Sequence, residues 1–488
     1  MAVDEAIPVA ETPIPRFVPH LTEDESKAKG KTARSKVQRV SQGFFDAGTD
    51  RPSPVDLLAS QATTRVAELV PIRYGRMLVS PFTFFRGAAL IMASDLARGT
   101  PNSGLHAQLC GDAHLSNFGV FGSPERQMVF DCNDFDETHP GPWEWDVKRL
   151  AASFSVAART RGFSKAVRIE AVIRLGQAYR ESMRLQAALP NLEVWYSHVD
   201  VQSVIELLAA KASQTGSKAE ARLAANATKL VTKARTKDSM RALDKLTTVV
   251  DGERHIVSDP PLIVPAEELY PDVEAEAMSG MFRDVLRRYR ASLPTDRRHL
   301  LEGYKFSQLA RKVVGVGSVG TRCWIILLHG PRNDDVLFLQ AKEAEASVLE
   351  RFTKKSQYNN HGARVVAGQR LMQASSDIFL GWQRNTGIDG VTRDFYVRQL
   401  QDWKGSVDTE TALPEGMKVY AGLCASTLAR AHARSGDRIA IAAYLGNSDT
   451  FDKGLSRFAE AYADQNERDY EEFAVACKSG RLHAEEGI

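Results

Sequence analysis

Between Cys110 and Asp146 the chain reads CGDAHLSNFGVFGSPERQMVFDCNDFDETHPGPWEWD, and this stretch limits the possible folds more than any other. It gathers Asp112, His114, Asn117, Asp131, Asp134, Asp136 and Asp146 among apolar residues such as Val129, Phe130 and Phe135. Acidic side chains are mostly solvated surface groups. Several carboxylates set beside a core repel one another unless a cation or a proton compensates. The cation suited to few protein oxygen ligands is Mg2+, which commonly bridges phosphate oxygens. Locally the pattern predicts strands at 105–110 and 127–130 joined as a hairpin, then a helix over 146–159. Trp143 and Trp145 read as core side chains rather than substrate platforms.

The spacing sharpens this reading. In phosphoryl transfer by kinases a loop Asp accepts the proton of the acceptor hydroxyl, and an Asn five residues on binds metal. Asp112 and Asn117 fit that spacing. A second metal-binding Asp follows the next hairpin. Asp134, in Asp134-Phe135-Asp136, is the candidate, with Asp131 the close alternative and Asp136 able to assist. His114 either supports the loop by hydrogen bonding or ligates metal.

The other half of such a site is a glycine-rich lid and a lysine. Gly315, Gly317 and Gly320 fit G-x-G-x-x-G, a weak signal alone because glycines at turns are common. Strand-like runs at 311–316 and 322–328 flank them, and the next strand ends at Lys342. That order would let the loop cover phosphates and the lysine pair with them. The bland readings are a hairpin turn and a solvated lysine. Glu345, Glu350 and Gln369 are the candidates near Lys342 for its partner, and none is assigned. Arg86, in FFRG, either reaches a phosphate or stacks on Phe84 or Phe85.

In ordinary kinases the glycine-rich lobe precedes the catalytic loop; here it follows by about 200 residues. The expected fold is therefore α+β, a protein-kinase-like two-lobed architecture in circularly permuted order. Residues 1–40 read as a disordered tail. Residues 41–303 would form a mainly helical large lobe carrying the catalytic hairpin at 105–137. Residues 304–405 would form a small antiparallel β lobe binding nucleotide, with 395–405 as its last strand and hinge. Residues 406–488 would complete the large lobe. One largely buried helix is expected over 81–98, and helices over 364–373, 415–434 and 450–480.

Two resemblances support this. The G-D-x-H-x-x-N string followed by Asp134-Phe135-Asp136 resembles the aminoglycoside phosphotransferase and choline kinase branch of the protein-kinase-like fold. Asp146 resembles that branch's helix-starting Asp, and the helix ending LARAHAR its helix before the catalytic loop. Cys110 stands where that branch usually has His. The chain also resembles a bacterial family catalogued as domain of unknown function 2252. The strings carrying this are SPFTFFRGAA, CGDAHLSNFG, VFDCNDFDET, PGPWEWDVKRLAAS, VVGVGSVGTRCW, LQAKEA and GQRLMQ.

The expected activity is transfer from ATP with Mg2+ to an unknown hydroxyl or amine acceptor, a small molecule or a protein side chain. Alternatives are a nucleotide-binding pseudokinase, a nucleotidyltransferase and, less favoured, a metallophosphoesterase. Asp112-Ala113-His114 fits a D-x-H metal motif. The companion G-D-x-x-D and G-N-H strings are missing from the sequence. A net charge of +2, from 63 Lys and Arg against 61 Asp and Glu, argues against coating nucleic acid by bulk charge. Residues 211–245 carry nine basic residues against three acids, read as a solvated helical face or a docking surface for an anionic substrate. Five scattered cysteines without a CxxC pair, no secretory signal and no long apolar run predict a cytoplasmic chain without membrane spans.

Overall fold

The computed structural model describes residues 20–236, 239–250, 253–332, 334–400, 403–409 and 411–488. It is an α+β fold with a large, mainly helical region and small antiparallel sheets. In chain order the strands are β1 (His106–Leu109), β2 (Phe118–Gly122), β3 (Met128–Cys132), β4 (His139–Pro142), β5 (Thr247–Val250), β6 (Glu253–Ile256), β7 (Ile263–Pro265), β8 (Lys305–Lys312), β9 (Cys323–His329), β10 (Val336–Ala344), β11 (Gly381–Thr386) and β12 (Thr392–Gln399). The six-stranded sheet has the order β11-β12-β10-β9-β8-β7.

Alternation along β9 and β10 explains how that sheet is covered. Successive side chains point to opposite faces. Ile326, Leu328, Leu337 and Leu339 meet Tyr289 and Leu293 beside the helix Ala275–Ala291. Ile325, Leu327, Val336 and Phe338 meet Leu243 and Leu246 of the helix Ser239–Leu246. Both faces are buried, so the strands read as continuous apolar runs. The sheet thus takes one of its two edge strands, β7, and two of its covering helices from before residue 304. The helix His361–Met372 lies between β10 and β11 in the chain and packs on β11 and β12.

The helical region centres on Trp143–Thr160, of which nearly every side chain is buried. Trp143 stacks on Tyr179 with centroids 5.3 Å apart, and Trp145 is also buried. The helices Lys165–Ala188, Pro414–Ser435 and Thr450–Lys478 enclose this centre. Ser164 caps the helix that follows it.

Several expectations are corrected. Residues 1–19 lie outside the described residues, but the rest of the expected tail is ordered. A helix at Glu23–Lys36 opens with a capping box, Thr22 accepting from the Glu25 amide and Glu25 from the Thr22 amide. Its contact with the helix Arg438–Leu445 is made by small residues. A Cβ on Gly30 would stand 2.1 Å from the Ala440 carbonyl oxygen, so no large apolar side chain advertises the interface.

The strands at the candidate site pair differently from the expected hairpin. β1 pairs with β4, while β2 pairs with β3. Pro140 and Pro142 hide β4 from a propensity reading, yet a two-stranded ladder tolerates them at its edge. The expected helix at 81–98 is two, Pro81–Gly87 and Ala89–Gly99, breaking at Ala88. The strand before the glycine loop ends at Lys312 rather than Val316. In the expected hinge, Gln401 and Asp402 lie outside the described residues. Beyond them Gly405 and Val120 exchange backbone hydrogen bonds, tying this segment to β2.

Candidate functional site

The loop after β1 is held from beneath. Asp146, in the first turn of its helix, accepts from the amides of Cys110 at 2.6 Å and Gly111 at 3.0 Å. His432 meets the same carboxylate at 3.3 Å and Tyr179 on its other side. Gly111 has φ +81°, and a Cβ there would lie 2.2 Å from the Glu137 carbonyl oxygen. Only glycine permits that close crossing.

Asp112 leaves this support toward a cavity of about 570 Å³. Its Oδ1 accepts from Arg149 Nε and Nη2 at 2.8 and 2.6 Å. Burial raises the Asp112 pKa, and Arg149 opposes that shift. Asn117 Nδ2 donates to the Asp112 carbonyl at 2.8 Å, which leaves its Oδ1 for another partner. His114 is buried with Nδ1 unpartnered. Burial, with Arg86 and Arg149 nearby, lowers its pKa well below the usual value, so the ring is neutral.

The second acidic loop meets the sheet. Lys342, on β10, donates to Asp136 Oδ2 at 2.6 Å, and Tyr396 to Oδ1 at 2.5 Å. Burial pushes Asp136 up, but Lys342 and Tyr396 outweigh it and leave its pKa at about 2. Asp134 moves upward, through burial and then the charge of Asp136. Glu137 is raised to about 7 by burial, although the Val348 amide donates to it. Ser318, from the glycine loop, donates to Asp136 at 3.2 Å. Two stretches 206 residues apart are thereby joined.

The glycine loop is anchored at both ends by the segment before the first acidic loop. Arg76 donates to the Gly315 carbonyl at 2.7 Å, and the Val66 amide to Gly320 at 2.8 Å. Gly315 and Gly320 have φ of +66° and +90°, which explains glycine at those two positions. Gly317 lies close to the Arg86 carbonyl oxygen.

Asp112, His114, Asn117, Asp134 and Asp136 line one cavity with Gly315 and Gly317. Lys342 joins them through Asp136. Gly320 shapes the loop from behind, against Arg65. Asp131 is elsewhere. Its carboxylate accepts from the Cys132 and Ala374 amides and senses Arg430, with burial raising its pKa to about 6. The alternation of β3 turns it away from the Asp134 loop. None of Glu345, Glu350 and Gln369 bonds Lys342. Glu350 closes a capping box with Ser347, and Gln369 bonds Gln373. Arg86 lines the cavity, and it is Arg149 that lies over the Phe85 ring, at 4.1 Å.

Sequence reasoning passed over Arg149, Glu137, Tyr396, Arg65 and Arg73. Arg149 stands three residues after Asp146 on the same helix, so the Asp146 assignment carried a usable signal. The others had none, because their roles depend on tertiary placement.

Two carboxylates with the free Oδ1 of Asn117 could hold a divalent cation. Among the described residues no three His, Cys, Asp or Glu side chains form a metal cage. Such a pair would leave positions to water and phosphate oxygens, as Mg2+ prefers.

The fold and site define an α+β protein whose acidic loops meet a glycine loop and a sheet-borne lysine. Residues 65–476 match the family described as "Uncharacterized protein conserved in bacteria (DUF2252)", and the chain belongs to that family. No curated protein and no solved structure matches it. Among the described residues no helix is long and apolar enough to cross a membrane.

Proposed function

We propose that this chain is an ATP- and Mg2+-dependent phosphotransferase of protein-kinase-like, two-lobed and circularly permuted design. The observation that carries the reading is the Lys342–Asp136 contact beneath a glycine loop. In the kinase template a glycine-rich loop covers the phosphates, a lysine on the third strand of the same sheet pairs with them, and an Asp–Phe motif holds metal. Here β8, the glycine loop, β9 and β10 follow in that order, and Lys342 lies on the third strand of the meander.

Asn117 and Asp134 would hold Mg2+ with Asp136 assisting, and the ion would neutralise phosphate charge. The upward shift of Asp134 fits this assignment, because a cation relieves the repulsion between neighbouring carboxylates. Asp112 offers Oδ2 to the acceptor hydroxyl or amine while Arg149 fixes Oδ1. The acceptor atom forms a bond to the γ-phosphorus, the bond to the bridging oxygen breaks, ADP leaves, and Asp112 receives the proton. The acceptor is a small molecule or a protein side chain. His114 is a neutral support for the loop. Asp131 is not among the proposed ligands.

The test uses the full chain with Mg2+ and ATP, following thermal stability and product mass. Nucleotide binding should stabilise the fold by mass action. Asp134→Asn should remove the metal-dependent part of the shift, and Asp112→Asn should keep binding and lose transfer. An unchanged ATP affinity in Lys342→Ala sinks the permuted-lobe reading. Transfer of a nucleotide rather than phosphate would instead assign a nucleotidyltransferase. Nucleotide binding without transfer is the second reading, favoured by the double hold of Arg149 on Asp112.

A further inference from the structure

The cavity has a basic wall opposite in charge to its acidic loops. Ser60, Gln61, Thr63, Thr64, Arg65 and Arg73 all line it. Arg73 is buried, at 1% exposure. Its Nη2 donates to Gln61 at 3.2 Å and to the Gly87 carbonyl at 2.9 Å. Its Nε and Nη1 are buried without a hydrogen-bond partner, as is Nε of Arg65. Arg65 donates through Nη1 to the Val319 carbonyl oxygen. Neither arginine forms an ion pair among the described residues. Burying unpaired guanidinium groups is costly, and burial lowers the pKa of both.

We propose that this wall is the seat of a phosphate group carried by the acceptor, so that the substrate class is a phosphorylated small molecule. The inference rests on the phosphotransferase reading for the word acceptor, though not for the anion seat itself. Guanidinium forks match phosphate and carboxylate oxygens. The Ser60 and Thr63 hydroxyls donate to the Leu57 and Ser60 carbonyls. The unpartnered Nε of Arg65, Nε and Nη1 of Arg73 and the Thr64 hydroxyl still offer more donors than a planar carboxylate takes up, which favours a tetrahedral dianion. The nucleotide already has Lys342, the glycine loop and the metal carboxylates. Arg65 and Arg73 belong to the helical region instead, on the stretch that anchors the loop from outside.

The test measures inorganic phosphate binding to the full chain by calorimetry, alone and with a saturating Mg2+ complex of a non-hydrolysable ATP analogue. Phosphate should bind in both conditions, and more tightly than succinate. Arg65→Gln and Arg73→Gln should each weaken phosphate about tenfold or more, the loss of one charge-assisted hydrogen bond. Arg73→Gln should leave analogue affinity unchanged, whereas Arg65 also holds the Val319 carbonyl of the glycine loop and is judged by phosphate binding alone. Arg65 is partly exposed, so its variant stays informative if Arg73→Gln fails to fold. Competition between phosphate and the analogue would overturn the proposal and assign the arginines to the nucleotide. No phosphate binding by the native chain would also overturn it, and tighter succinate binding would overturn the substrate class. Phosphate binding in a chain that never binds the analogue would keep the anion seat and remove the phosphotransferase reading.

Discussion

The two walls of the cavity solve the problem of buried charge in opposite ways. On the acidic side Asp112 is paired with Arg149, Asp136 with Lys342, and Asp146 with two amides and His432. On the basic side Arg65 and Arg73 contact carbonyl or amide oxygens, and no carboxylate. The acidic loops are therefore fixed by the fold itself. The basic wall holds a charge that no carboxylate contacts, although Glu137 and Glu345 act on it from a distance. A site arranged this way keeps its reactive loops rigid and leaves one wall to be completed by a ligand.

The largest expected effect is at the pair that defines the first wall. Arg149→Met leaves Asp112 without its cation in a partly buried position. Removing one partner of a buried pair costs about 3–5 kcal/mol. Urea unfolding followed by circular dichroism should register that loss. A loss under about 1 kcal/mol would mean that Asp112 is solvated, and the contrast between the walls would collapse.

Glu137 and Asp134 are the acidic-side exceptions, since each has an amide partner but no ion pair among the described residues. The Glu137 pKa rises in the folded chain to about 7 from an ordinary 4.5. A carboxylate raised on folding adds stability that is complete below pH 4.5 and is lost as pH rises through 7. The shift of about 2.5 units corresponds to roughly 3 kcal/mol across that interval. Glu137→Gln should flatten this decline in unfolding curves taken between pH 4.5 and 7. If native and variant curves stay parallel, Glu137 is solvated, and Asp134 is left as the acidic wall's member without an ion pair.

The basic wall predicts the reverse sign. Arg73→Met replaces a buried, uncompensated cation with an apolar side chain of similar length. Removing a buried cation that no carboxylate pairs with relieves its desolvation cost, so stability should hold or rise by about 1 kcal/mol. A loss of more than about 2 kcal/mol would show that the bonds to Gln61 and Gly87 hold the wall together, and the contrast would then be one of degree.

This contrast also separates what the sequence displays from what it hides. The acidic loops were legible because Asp112, Asn117, Asp134 and Asp136 lie within 25 consecutive residues, at spacings their chemistry requires. Lys342 and the glycines were legible because continuous apolar runs mark β9 and β10 around them. Asp131 misled because a carboxylate two residues beyond Val129 looks equivalent to Asp134 in a linear string, while the pleat of β3 sends it toward Arg430. β4 was hidden by its prolines, and the helix at Glu23–Lys36 by the small size of Ser26, Gly30 and Ala33 at its contact. Arg65 and Arg73 look like any other surface arginines in TTRVAELVPIRYGR. Nothing local distinguishes a cation that will be buried from one that will be solvated.

The smallest predicted effect supplies the reference for that distinction. The helices Val201–Thr215 and Lys218–Arg235 carry most of the basic stretch, and their lysines are largely exposed. Lys211 pairs with Glu220 at 2.7 Å, but 62% of its side chain remains accessible. Exposed pairs contribute about 0–1 kcal/mol, because water already solvates both charges. Lys211→Ala should therefore change unfolding stability by less than about 1 kcal/mol, and added salt should reduce even that difference. A larger, salt-resistant loss would place this face among the buried cations with Arg73 and would sink its reading as a solvated surface. The expected insensitivity gives the Arg73→Met result its meaning. A cation in water needs no partner, so a gain on removing Arg73 would measure burial rather than charge.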